Sequence, residues 1–160
     1  MFLDISQAFD RIWHPGLLFK LKHSLTSNYY LLLQSYLADR NFAVRHIILS
    51  DRHPIEAGVP QGTVLGPLLF LIFTADIPTS GNTTIASFAD DVAVLSDKEY
   101  PVSATRHLQT HLNSLAEWYT RWGMKVNQAK SVQITFTTRK NIYPPLTLNN
   151  VPIPVTTEVK

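Results

Sequence analysis

From Phe2 to Ser6 apolar and polar side chains alternate. Leu3 and Ile5 fall on one face and Asp4 and Ser6 on the other, the period of a half-buried strand. Pro15 then opens a helical region from about Gly16 to Asp39, with a break expected near Ser27 and Asn28. Phe42 to Leu49 reads as a second strand and Ser50-Asp51 as a turn, and Pro54 confines the next short strand to an edge. After a loop carrying Gly58, Pro60 and Gly62, a helix is expected to start near Pro67 and to end before Pro78. Ile85 to Ser96 reads as two strands around Asp90-Asp91. Between Pro101 and Trp122, Leu108, Leu112, Leu115, Tyr119 and Trp122 form one stripe at helical spacing, which marks a core face rather than a cofactor site. Gly123 follows as a natural cap. Val132, Ile134 and Phe136 alternate as a strand, and Pro144 to Val155 reads as a last pair of short strands around Asn149-Asn150. This order predicts an α+β fold, with helices packed on one face of a mainly antiparallel sheet.

Composition narrows the class. At 160 residues, 45% hydrophobic and 16% charged, the chain suits one globular domain over residues 1–160. It has no cysteine, which rules out disulfides and thiolate metal sites. Asp4 interrupts the first apolar stretch, so no secretory leader is read there. The longest apolar run, Val64 to Ala75, falls short of the about 20 residues that span a bilayer. The expected location is cytoplasm or nucleus, without membrane attachment.

The net charge of +2 hides a segregation. From Ala57 to Asp97 there is no Lys or Arg, but Asp76, Asp90, Asp91 and Asp97 are present. From Trp118 to Thr157 there is no Asp or Glu, but Arg121, Lys125, Lys130, Arg139 and Lys140 are. An acidic middle and a basic tail suit a site that holds cations and meets phosphates, although chance segregation in a short chain accounts for it equally well.

Asp90 and Asp91 carry the sharpest chemical signal. Adjacent like charges between two apolar strands repel, and a divalent cation removes the conflict. A plain turn is the competing explanation. Asp4 projects from the polar face of a short strand; alone it would read as a solvated residue. If that strand lies beside the hairpin, three carboxylates converge, a set able to hold two Mg²⁺ ions about 3.5–4 Å apart for in-line phosphoryl displacement. Oxygen-only ligands fit a hard cation. The stiff turn Gly58-Val59-Pro60-Gln61-Gly62 exposes bare backbone to which a flat ligand can come close, though by itself it reads as an ordinary loop.

Together these segments resemble a family. Phe2-Leu3-Asp4-Ile5-Ser6-Gln7-Ala8-Phe9-Asp10, Gly58-Val59-Pro60-Gln61-Gly62-Thr63-Val64-Leu65-Gly66-Pro67-Leu68, Phe88-Ala89-Asp90-Asp91 and Trp122-Gly123-Met124-Lys125-Val126-Asn127-Gln128-Ala129-Lys130-Ser131 resemble, in order, motifs A to D of reverse transcriptases. The wording is most similar to non-long-terminal-repeat retrotransposons of the jockey group. The resemblance implies a ferredoxin-like polymerase palm and RNA-directed DNA polymerase activity, with RNA template, DNA primer and deoxynucleoside triphosphates as partners. It assigns Asp4, Asp90 and Asp91, with the backbone carbonyl of Ile5, to two Mg²⁺ ions, or Mn²⁺ in their place. It puts Ala8, Phe9, Gln61 and Gly62 against the nucleotide, with Phe9 as the ring that excludes a ribose 2′-hydroxyl, and makes Lys130 a proton donor or charge screen for pyrophosphate.

The resemblance also implies that fingers and thumb segments of a longer polyprotein are missing, so that the isolated chain is expected to be inactive or nearly so. A decayed or repurposed fragment that at most binds nucleic acid is the rival reading. Nucleotide cyclases, with a similar fold, would carry a Gly-Gly-acidic-Glu-Phe turn in place of Phe88-Ala89-Asp90-Asp91. Asp10 reads as a cap or local pair. His107 and His111 have the i, i+4 spacing of zinc ligands, but Leu108 stands where a metalloprotease needs Glu, so both read as surface residues.

Overall fold

The computed structural model describes residues 1–137 and 144–156; Arg139 and Lys140 of the basic tail lie outside them. In chain order the elements are β1 (Phe2–Ile5), α1 (His14–Ser24), α2 (Ser27–Leu37), β2 (Asn41–Phe42), β3 (His53–Pro54), α3 (Leu65–Thr74), β4 (Thr84–Phe88), β5 (Asp91–Leu95), α4 (Pro101–Arg121), β6 (Val126–Val132), β7 (Thr147–Leu148) and β8 (Val151–Pro152). They divide into two compact units, residues 1–8 with 76–160, and residues 9–75.

The first unit is built on a four-stranded sheet of order β4-β5-β1-β6 in which every neighbouring pair is antiparallel. Strand order and chain order together are those of a split, ferredoxin-like arrangement. The alternation read in the sequence sets the faces. Leu3 and Ile5 of β1 and Val92 and Val94 of β5 are buried, whereas Asp4, Asp91 and Leu95 keep some exposure. Helix α4 begins at Pro101, where a missing N–H costs nothing. Its stripe Leu108, Leu112, Leu115 and Tyr119 is buried as expected, with Trp118 buried beside it and Trp122 only half-buried. Truncating Leu112 to Ala would cost about 2–5 kcal/mol. The helix ends in a Schellman motif. Met124 N–H donates to Tyr119 O at 2.9 Å and Gly123 N–H to Thr120 O at 3.2 Å, and Gly123 takes the required left-handed φ of 71°. The β7–β8 turn, Asn149-Asn150, has φ of 51° and 64°, the positive pair of a type I′ hairpin.

The second unit packs α1 against α2 and α3. Leu17, Leu21, Leu33, Leu37, Leu69, Phe70 and Phe73 supply its core. The expected break in the first helical region falls between Ser24 and Ser27.

Three expectations need correcting. The strand expected over Phe42–Leu49 shrinks to Asn41–Phe42, because only Phe42↔His53 and Asn41↔Pro54 pair and Ile47 and Ile48 stay exposed. The strand expected over Val132–Phe136 lies earlier, at Val126–Val132, where β1 supplies its partner. Beyond it the apolar alternation misleads. Gln133 is buried, its Oε1 accepting from Leu146 N–H at 2.8 Å, whereas Phe136 is exposed. Finally, His111 is not a surface residue. It is 2% exposed, with Nδ1 2.6 Å from Thr83 Oγ1 and Nε2 2.8 Å from Pro78 O, so it ties the segment before β4 to α4. His107 is half-buried, and its Nδ1 is buried without a partner among the described residues. Among the described residues no helix is long and apolar enough to cross a membrane.

Candidate active site

The β1–β5 ladder aligns Leu3 with Val92 and Asp4 with Asp91. Directly opposed residues share a face, with Cβ atoms about 4.5–5.5 Å apart. Two carboxylates 87 positions apart in the chain are therefore cross-strand neighbours on the sheet face opposite Leu3 and Val92. Like charges so opposed destabilise the ladder unless something compensates them.

Asp90 stands one residue earlier. The β4–β5 register pairs Phe88 with Asp91, so the turn is Ala89-Asp90 and not Asp90-Asp91. Asp91 is the first residue of β5, which is why it falls into register with Asp4, and Asp90 occupies the turn itself. Ala89 has φ of 52°, a left-handed conformation unfavourable for a residue with a Cβ. A positive φ at the first loop residue is the place where a two-residue hairpin favours glycine. Strain of this kind concentrates at functional sites.

The donor chemistry fits a divalent cation. Asp4 and Asp91 offer hard oxygen ligands from adjacent strands, with Asp90 next in the chain. Among the described residues no group of three His, Asp or Glu side chains is placed to hold a metal ion, so Asp90 does not join Asp4 and Asp91 in one. Mg²⁺ does not ask for such a group: it is held by one or two carboxylates together with waters and substrate phosphates.

On the other side of β1, strand β6 supports Asp4. Its register jumps from Phe2↔Val132 to Asp4↔Asn127, so residues 128–131 bulge. Within the bulge the buried Ser131 completes the backbone bonding: Asp4 N–H donates to Ser131 Oγ at 3.2 Å, and that hydroxyl donates to Asn127 O at 2.8 Å. The sequence reading did not single out Ser131; a small hydroxyl residue ending an otherwise polar run was the signal available. Lys130 sits in the same bulge with its side chain exposed and its N–H 3.4 Å from Asn127 Oδ1. Ile5 and Ala8 are buried, so whatever Ile5 offers a ligand comes from its backbone.

The second unit holds the remaining sequence-expected residues. Phe9 stacks on Phe70 of α3, ring centroids 4.7 Å apart and planes at 26°. Its carbonyl accepts from Val59 N–H at 3.0 Å. Gln61 is exposed, and its Nε2 donates to Asp10 Oδ1 at 2.8 Å. Gly62 has φ of 77° and open space where a Cβ would stand. Thr63 ties this turn to α3: its hydroxyl donates to Pro60 O at 2.8 Å and accepts from Gly66 N–H at 3.1 Å. The structure thus brings Asp4 and Asp91 together within one unit, and Phe9, Gln61 and Gly62 within the other.

The chain matches the family described as reverse transcriptase (RNA-dependent DNA polymerase) over residues 1–156. It is 42% identical over 160 residues to a probable RNA-directed DNA polymerase from transposon X-element of Drosophila melanogaster, covering 96% of this chain. It is 43% identical over 168 residues to the RNA-directed DNA polymerase from mobile element jockey of Drosophila funebris, covering 99% of this chain. A probable RNA-directed DNA polymerase from transposon BS of Drosophila melanogaster is 44% identical over 146 residues, covering 86% of this chain. The chain spans only 18%, 18% and 16% of these three relatives. It belongs to the reverse transcriptase (RNA-dependent DNA polymerase) family.

Proposed function

We propose that this chain is the palm core of an RNA-directed DNA polymerase from a jockey-like mobile element, extending a DNA 3′ end with deoxynucleoside triphosphates on an RNA template. The observation that carries the reading is the register Asp4↔Asp91, with Asp90 in the adjoining turn. Asp4, Asp90 and Asp91, with the Ile5 carbonyl, would hold two Mg²⁺ ions, or Mn²⁺ in their place. Such ions lower the pKa of an attacking hydroxyl and neutralise charge on a leaving phosphate.

The chain's own residues do the rest. The β1–β5 ladder fixes the backbone separation of Asp4 and Asp91, and their carboxylates would receive cations on that face. Phe9, braced against Phe70, excludes a ribose 2′-hydroxyl and so favours deoxynucleotides. Ala8, Gln61 and Gly62 border the nucleotide, with Gly62 leaving bare backbone for close approach. Lys130 screens or protonates the departing pyrophosphate. RNA template and DNA primer are the macromolecular partners. Polymerisation needs the fingers and thumb segments of a longer polyprotein, because positioning supplies about 7–11 kcal/mol of barrier reduction.

Primer extension on an RNA template by the full-length protein carrying this segment tests the reading. Extension should require Mg²⁺ and vanish in Asp90→Ala. Extension that survives Asp90→Ala rejects the assignment. Salt-sensitive nucleic-acid binding with no extension and no need for metal would point to a repurposed binding module instead.

A further inference from the structure

Asp10 has no role in the site as drawn above, yet its carboxylate is committed. Gln61 Nε2 donates to Asp10 Oδ1 at 2.8 Å. An ionised carboxylate only accepts, so the Gln61 amide has one orientation here, nitrogen toward Asp10 and oxygen away from it. The bond is charge-assisted and therefore stronger than an amide–amide contact.

The backbone fixes the separation of the two residues. Val59 N–H donates to Phe9 O at 3.0 Å and Gly58 N–H to Ile12 O at 2.8 Å, and Trp13 bridges to Ala57. His14 Nε2 lies 2.7 Å from Gly58 O and is buried. Gly58 makes the close approach possible: with φ of 89°, a Cβ there would stand 3.0 Å from both Cα and O of Asp10. The segment 9–14 and the turn 57–61 are thus clamped along several residues, and the Asp10–Gln61 pair is the side-chain end of that clamp.

We propose that Asp10 is a positioning residue for nucleotide selection: it holds the Gln61 amide so that Gln61 Oε1 is presented as an acceptor to an O–H or N–H of the bound deoxynucleoside triphosphate. This rests on the nucleotide-binding role proposed above for Gln61. Without the carboxylate, the amide samples other rotamers and both flips. Re-ordering it on binding weakens nucleotide affinity about five- to tenfold.

The test is steady-state primer extension by the full-length protein with Asp10→Ala, Asp10→Asn, Gln61→Ala and the Asp10→Ala/Gln61→Ala pair, beside nucleotide binding to primer–template ended in a dideoxynucleotide. Asp10→Ala should raise KM for the triphosphate about five- to tenfold with kcat nearly unchanged. Asp10→Asn, whose amide oxygen still accepts from Gln61, should recover most of the loss. The double variant should be no worse than Gln61→Ala alone. Equal and additive losses in the Gln61→Ala background, or a fall in kcat matched by a fall in melting temperature, overturn the proposal, as does a KM unmoved by Asp10→Ala in a protein that binds nucleotide. If the unaltered protein neither binds triphosphate nor extends a primer, the polymerase reading fails first and takes this proposal with it.

Discussion

Asp4 and Asp91 stand opposite each other in the antiparallel β1–β5 ladder, one half-buried and the other exposed. A sheet gains nothing by opposing two carboxylates, since cross-strand like charges are unfavourable by a few tenths of a kcal/mol or more. A cation sharing the face would remove that conflict. Without metal, Asp4→Asn should therefore stabilise the chain by about 0.5 kcal/mol, a rise in Tm of about 1–2 °C. Thermal unfolding in chelator, then in Mg²⁺, checks this: Mg²⁺ should raise the Tm of the parent and leave Asp4→Asn nearly unmoved. A lower Tm for Asp4→Asn in chelator would show that the pair is not in conflict.

The turn beside it stores strain at Ala89, whose φ is 52°. Ala89→Gly should relieve about 0.5–1 kcal/mol, and Ala89→Val should cost more than 1 kcal/mol, because a branched Cβ tolerates positive φ less than a methyl does. Denaturant midpoints of the three proteins should order Gly, Ala, Val. A midpoint for Ala89→Gly below that of the parent contradicts a left-handed Ala89.

Tyr119 is buried, and its hydroxyl has no hydrogen-bond partner among the described residues. Burial holds its pKa above the ordinary 10.0. The phenol therefore stays protonated in the fold but ionises on unfolding, so its contribution is constant below about pH 10 and is lost as pH rises above that. Tyr119→Phe should be neutral to stabilising at pH 7, since it removes an unsatisfied buried group, and should flatten the alkaline loss of stability. Denaturant unfolding between pH 7 and pH 11 measures both; an unchanged alkaline slope would remove Tyr119 as its source.

His111 receives the opposite prediction. Replacing it with Leu strips partners from Pro78 O and Thr83 Oγ1 and should cost about 2–3 kcal/mol by denaturant unfolding. A cost below about 0.5 kcal/mol would place the ring at the surface, as its sequence context reads.

Phe9→Ala should raise ribonucleotide incorporation relative to deoxynucleotide incorporation at least tenfold in the full-length protein. The ratio isolates the gate from the packing lost against Phe70, which affects both sugars alike. Unchanged sugar selectivity removes the assignment.

Strands β1 and β5 were legible because they obey a period of two. Leu3, Ile5, Val92 and Val94 are buried as their alternation requires. The stripe on α4 was legible for the same reason at helical period. What escaped was set by partners rather than by pattern. The β4–β5 turn moved one residue because Phe88 pairs with Asp91, and no local signal distinguishes Ala89-Asp90 from Asp90-Asp91. His111 and Gln133 are buried because distant backbone groups satisfy them, and a single-sequence pattern reads such polar residues as exposed. Asp10 read as a cap or local pair, whereas its partner Gln61 lies 51 positions along the chain. The carboxylates of the candidate site were visible as residue types; their register was not.

Paramagnetic broadening by Mn²⁺ tests the metal assignment most directly. Titrated into the ¹⁵N-labelled chain, Mn²⁺ should broaden amide signals around positions 4, 90 and 91 saturably and before any others. Excess Mg²⁺ should reverse the effect, and Asp4→Asn and Asp91→Asn should each weaken it strongly. Broadening spread evenly over the surface carboxylates, or centred away from these three positions, would contradict a metal site on this face of the sheet.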